Sequence, residues 1–132
     1  MAKRVDWIVK RDEWVRTVTD LCDQVQDWAK QEHWQVKCAQ KSLTETNIGS
    51  YAIPSLAIKT PEGTVYLDPI GRNIIGACGR VDITVYPTMN RMLLVLTADG
   101  KWQIVHEDRV PWPLPWNAES FVKLVHTLAA AA

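Results

Sequence analysis

The chain reads as an α+β domain: one antiparallel, meander-rich sheet of five to six strands, with a long N-terminal helix and a short C-terminal helix on one face. Three observations predict this. An early stretch repeats its apolar residues at helical spacing, the middle of the chain alternates apolar and polar residues between turn signals, and the last residues return to helical spacing. The 132 residues suit one domain, 1–132, with no linker or internal repeat. A chain of this length buries roughly two-thirds of its unfolded surface, enough for a single core.

The first helix is expected over residues 12–33. Trp14, Val18, Leu21, Val25 and Trp28 step by 4, 3, 4 and 3, and Val15, Cys22 and Ala29 widen the stripe. Asp12 is placed as N-cap, with Glu13 in the first turn. Asp20, Asp23 and Asp27 form an acidic comb on another side of this helix, suited to solvent or to a basic partner.

The strands follow. Trp34, Val36 and Cys38 alternate with polar neighbours, and residues 55–60 and 64–68 flank the turn Pro61-Glu62-Gly63. Residues 79–86 alternate, and 91–97 and 102–106 flank Ala98-Asp99-Gly100-Lys101 as a second hairpin. Because Leu93 and Val95 are apolar as well as Met92, Leu94 and Leu96, residues 91–97 are expected to be a central strand covered on both faces. Pro111, Pro113 and Pro115 alternate with Trp112, Leu114 and Trp116 in an extended strap with few backbone donors. Asn117 then reads as an N-cap, Trp116 and Phe121 as a hydrophobic staple, and Phe121, Leu124, Val125 and Leu128 as the stripe of the last helix.

Composition narrows the function classes. Fifteen basic residues balance fifteen acidic ones, so non-specific nucleic-acid binding is not expected. No apolar run approaches the roughly 18 to 20 residues of a membrane span, and the N-terminal residues carry charges throughout, so neither membrane nor signal peptide is expected. Cys22, Cys38 and Cys78 are odd in number and without a CxxC spacing, which fits a reducing, cytoplasmic setting. The glycines at 71, 76 and 79 fit neither GxGxxG nor a P-loop, the histidines form no metal-binding pair, and there is no GxSxG; no cofactor is expected.

Candidate site residues come from strand parity. In 79–86, Val81, Ile83 and Val85 take one face while Arg80, Asp82 and Thr84 take the other; in 64–68, Tyr66 and Asp68 oppose Val65 and Leu67. If both polar parities face the same side, Tyr66, Asp68, Arg80, Asp82 and Thr84 form one patch, either a binding surface or a sheet face dressed with charge pairs. Trp112 and Trp116 of the strap are either anchors for a protein partner or a second copy, or cover for the chain's own core.

These residues support a non-catalytic binding or protein-interaction domain, a small cytoplasmic accessory or regulatory protein. A second reading comes from residues 82–101. An aspartate on an apolar strand followed by Asp99-Gly100-Lys101, after a helix and strands, resembles the PD-(D/E)xK nuclease family over 20 residues. The resemblance implies a metal-dependent hydrolase, active or decayed, in which Asp82, Asp99 and Lys101 are catalytic and Asp68 and Asp82 hold the divalent metal that activates water.

Overall fold

A computed structural model describes residues 6–73 and 77–130. Helix α1 spans Trp7–Gln31, and six strands follow: β1 (Gln35–Glu45), β2 (Gly49–Thr60), β3 (Gly63–Gly71), β4 (Arg80–Tyr86), β5 (Asn90–Leu96) and β6 (Trp102–Val105); helix α2 spans Ala118–Ala129. The strands pair in sequence order, each antiparallel to the next, as a meander. The expected α+β class and both helices are therefore present.

Helix α1 begins earlier than its apolar stripe suggests. Asp6, not Asp12, is the cap, its Oδ1 accepting from the Ile8 and Val9 amides at 3.1 Å each. Asp12 lies inside the helix beside Arg11. The first turn exposes Ile8 and Val9, so local capping rather than burial starts the helix there. The buried residues are those of the expected stripe: Trp14, Val18, Leu21, Cys22, Val25 and Ala29.

Strands β1 and β2 run well beyond the alternation at 34–38 and the run 55–60 and join in a hairpin, with its turn at residues 46–48, where Asn47 takes the left-handed conformation at φ 69°. Pro54 sits inside β2 opposite Gln40, although a proline usually ends a strand. It is tolerated because β3 pairs with β2 only from Leu56 onward. At Pro54 the strand has a neighbour on one side alone, and a missing N–H costs little there.

Leu56, Ile58, Val65, Leu67, Val81, Ile83, Val85, Leu94 and Ile104 face the helices and join the α1 stripe with Phe121, Leu124, Val125 and Leu128 in one core. Helix α1 packs on β1 and β2, and α2 on β4 and β5. Phe121 is surrounded by Trp28, Trp34 and Trp116 at ring separations of 5.8, 6.2 and 5.7 Å. Asn117 caps α2 as expected, accepting from the Ser120 amide at 2.8 Å.

A polar chain links helix, hairpin and loop. The Trp14 indole donates to the Tyr51 hydroxyl at 3.1 Å, and that hydroxyl donates to Glu45. The other oxygen of Glu45 accepts from the Arg72 and Asn73 amides at 2.9 Å each. Burial, then the hydrogen bond to Glu45, holds the Tyr51 phenol above its ordinary pKa.

Candidate functional site

The face of the sheet opposite the helices gathers the polar residues that parity singled out. In the register Tyr66 lies opposite Thr84 and Asp68 opposite Asp82, and β5 adds Arg91 beside Thr84 and Leu93 beside Asp82. All of Tyr66, Asp68, Arg80, Asp82 and Thr84 thus share one side. The glycine-bounded stretch that leads into β4 begins at Gly76, which lies outside the described residues.

Asp82 is 3% exposed and occupied on both oxygens. Arg80 grips it with Nε at 2.7 Å from Oδ1 and Nη2 at 3.0 Å from Oδ2, and Arg91 Nη1 stands 3.4 Å from Oδ2. Arg91 continues to Glu107 at 2.6 Å. The neighbouring carboxylate of Asp68 has its own cation, Lys41, at 2.6 Å, and Lys41 also donates to the Pro69 carbonyl at 2.9 Å. Two aspartates directly opposite one another would repel, and this ladder gives each its own positive partner. The hydrogen bonds to Asp82 hold the Arg80 guanidinium above its ordinary pKa, against the opposing effect of burial.

Of the residues implied by the nuclease resemblance, Asp68 and Asp82 are cross-strand neighbours, but Asp99 and Lys101 are not brought to them. Asp82 pairs with Leu93, three residues before β5 ends, so about 10 Å of strand separates it from the start of the turn that holds Asp99 and Lys101. Asp99 is fully exposed and accepts from the Thr97 hydroxyl, which lowers its pKa. Among the described residues no three His, Cys, Asp or Glu side chains are grouped as metal ligands. Asp68 and Asp82, the two expected to hold a metal, face lysine and arginine instead.

Trp112 and Trp116 are both partly buried against the core. The Trp112 amide donates to the Ile104 carbonyl at 2.9 Å, while Trp116 packs on Trp28 at 5.1 Å and reaches Gln24 with its indole N–H. Pro111 forms a bridge with Val105, so the strap runs beside β6. On the outer face Leu93 and Val105 are buried side by side, as the expectation for a doubly covered strand requires at that position.

Parity found Tyr66 but missed two further residues that make this face adhesive, Tyr86 and Met89. Tyr66, Tyr86 and Met89 are 43%, 57% and 61% exposed. Tyr86 lies two residues beyond Thr84, a diagonal neighbour of Tyr66, and could have been found by carrying the alternation one step further. Met89 lies in the β4–β5 turn with φ 61°, a placement no sequence pattern announced. Tyr66 stands between two depressions. One of about 280 Å³ also touches Ser55, Asp68, Thr84 and Met89, and one of about 550 Å³ touches Lys37, Ala57, Lys59 and Thr64. Lys37 and Lys59 are exposed and have no acidic partner among the described residues. A separate groove of about 430 Å³ runs between the end of α1 and the start of α2, lined by Trp28, Glu32, Glu119 and Lys123.

Among the described residues no helix is long and apolar enough to cross a membrane. Compared with known protein families, with curated proteins and with solved structures, the chain matches none.

Proposed function

We propose that this chain is a non-catalytic binding domain, an accessory or regulatory protein of the cytoplasm, that takes a protein partner on the outer face of its sheet. The observation that carries the reading is the exposed group Tyr66, Tyr86 and Met89 on a face to which neither helix contributes. Exposed aromatic and thioether side chains rimmed by polar groups are the composition of protein-binding surfaces, and tyrosine holds a partner at low entropic cost. The unpaired Lys37 and Lys59 at the rim favour an acidic partner. Asp82 and its arginines form the fixed floor of this surface: their charges are already matched, so they set its shape rather than its chemistry.

Selection of peptides from a displayed random library, followed by titration into the full chain, tests this. Acidic binders are expected, and Tyr66→Ala should weaken them at least about tenfold, or about 1.4 kcal/mol, with an unchanged melting temperature. Binders indifferent to both Tyr66→Ala and Tyr86→Ala would overturn it. A concentration-dependent dimer dispersed by Tyr86→Ala would instead give the surface to a second copy.

A further inference from the structure

Two of the three free thiols lie on elements that pack against each other, Cys22 on α1 and Cys38 on β1. Helix α1 leads through residues 32–34 directly into β1, and it packs back against β1 and β2. Cys22 lies nine residues before the end of α1, about 13 Å along the axis at 1.5 Å per residue. Cys38 lies three residues into β1, about 10 Å from its start. The two cysteines are therefore level with one another.

The register places them on the same side of the sheet. Cys38 pairs with Leu56, whose side chain is buried under the helices. The Cys22 thiol contacts the Pro54 carbonyl at 3.9 Å, and Pro54 is two residues from Leu56 on the same strand. Cys22 thus stands over the position diagonal to Cys38, a step of about 7 Å across antiparallel strands. Cys22 is buried and Cys38 exposed. Burial, then the charges of Cys38 and Asp23, pushes the Cys22 thiol up to about 12, which is consistent with a second sulfur close by.

We propose that Cys22 and Cys38 form a redox pair that a small-molecule disulfide oxidises to an intramolecular disulfide, tying α1 to the exposed edge strand β1. Cys38 is the entry point because it is exposed. Its thiolate attacks one sulfur of the small disulfide, forms a mixed disulfide and releases one thiolate. Cys22 then gives up its proton and attacks the Cys38 sulfur, closing the protein disulfide and releasing the second thiolate. Two protein thiols are oxidised, one small disulfide is reduced to two thiols, and the two protons pass from the protein to the leaving thiolates. The buried, proton-holding Cys22 makes the second step the slower one, so the mixed disulfide at Cys38 forms first. Closure joins residues sixteen positions apart and fixes the helix against the edge strand.

The full chain carrying Cys78→Ser, incubated with oxidised glutathione and followed by intact and peptide mass spectrometry, decides this. The expected course is a transient glutathione adduct on Cys38 followed by loss of two hydrogens and a Cys22–Cys38 linked peptide, with a rise in Tm of about 5 °C or more that dithiothreitol reverses. Adding Cys22→Ser should arrest the chain as the stable Cys38 adduct. Where that buried change impairs folding, Cys38→Ser at the exposed position serves instead, and Cys22 should then stay unmodified. A Cys78→Ser chain that ends as the Cys38 adduct, or that does not react, overturns the proposal.

Discussion

Removing the Asp82 carboxylate would leave Arg80 and Arg91 facing one another across a site that is 3% exposed. Asp82→Ala is therefore expected to cost about 2 kcal/mol, through loss of the charge-assisted hydrogen bonds to an Arg80 side chain that is 27% exposed, read as a lower urea midpoint. Arg91→Ala should cost less than about 1 kcal/mol, because that contact is longer and its side chain is 42% exposed. Equal losses for the two would mean that the ladder acts as a unit rather than through the Arg80 grip. Cys22 supplies a second effect at this scale. Its thiol is raised from 9.0 to about 12 in the folded chain, so the unfolded chain gives up that proton first. The stabilisation is whole below pH 9 and is lost as pH rises from 9 towards 12. Urea midpoints measured from about pH 8 to 10.5 should fall, and Cys22→Ala should make the fall shallower although it lowers stability at every pH.

At the scale of elements, the parts most legible in the sequence are those whose signals are local. Helix α2 was readable from its cap through its stripe, because Asn117, the Trp116–Phe121 staple and the stripe all lie within thirteen residues. Asn117→Ala should cost about 1 kcal/mol by loss of the cap, whereas Asp12→Ala, at the position mistaken for a cap, should change stability by less than about 0.5 kcal/mol. Circular dichroism during urea unfolding separates the two. Helix α1 was readable in its buried stripe but not at its start, since the cap at Asp6 lies ahead of any buried residue. The β1–β2 hairpin was half lost for two physical reasons: its turn is marked only by Asn47 and Gly49 on either side of Ile48, and Pro54 looks like a strand breaker unless one knows that β3 stops pairing beside it. The candidate surface shows the same division. Alternation within β3 and β4 put Tyr66, Asp68, Arg80 and Asp82 on one side, yet their partners Lys41, Arg91 and Glu107 depend on strand extent and register, which one sequence does not encode locally.

Over the whole molecule, five of the seven tryptophans report on two regions of one core. Trp14 packs on Trp102 at 6.2 Å near the start of α1, and Trp28, Trp34 and Trp116 surround Phe121 near its end. The two groups are separated by the fourteen positions from Trp14 to Trp28, about 21 Å of helix. A single buried cluster joins them through the inward faces of all the central strands. Damage at one end should therefore lower stability at the other. Phe121→Ala, at a fully buried position enclosed by three indoles, should cost about 4 kcal/mol. If the core is one cooperative unit, tryptophan fluorescence and far-ultraviolet circular dichroism will give coincident urea transitions in the parent chain and in Phe121→Ala, displaced together to lower urea. Transitions that separate in the variant, with fluorescence of the Trp28 region lost while the sheet signal persists, would mean instead that α2 and its indole cage open as an independent unit.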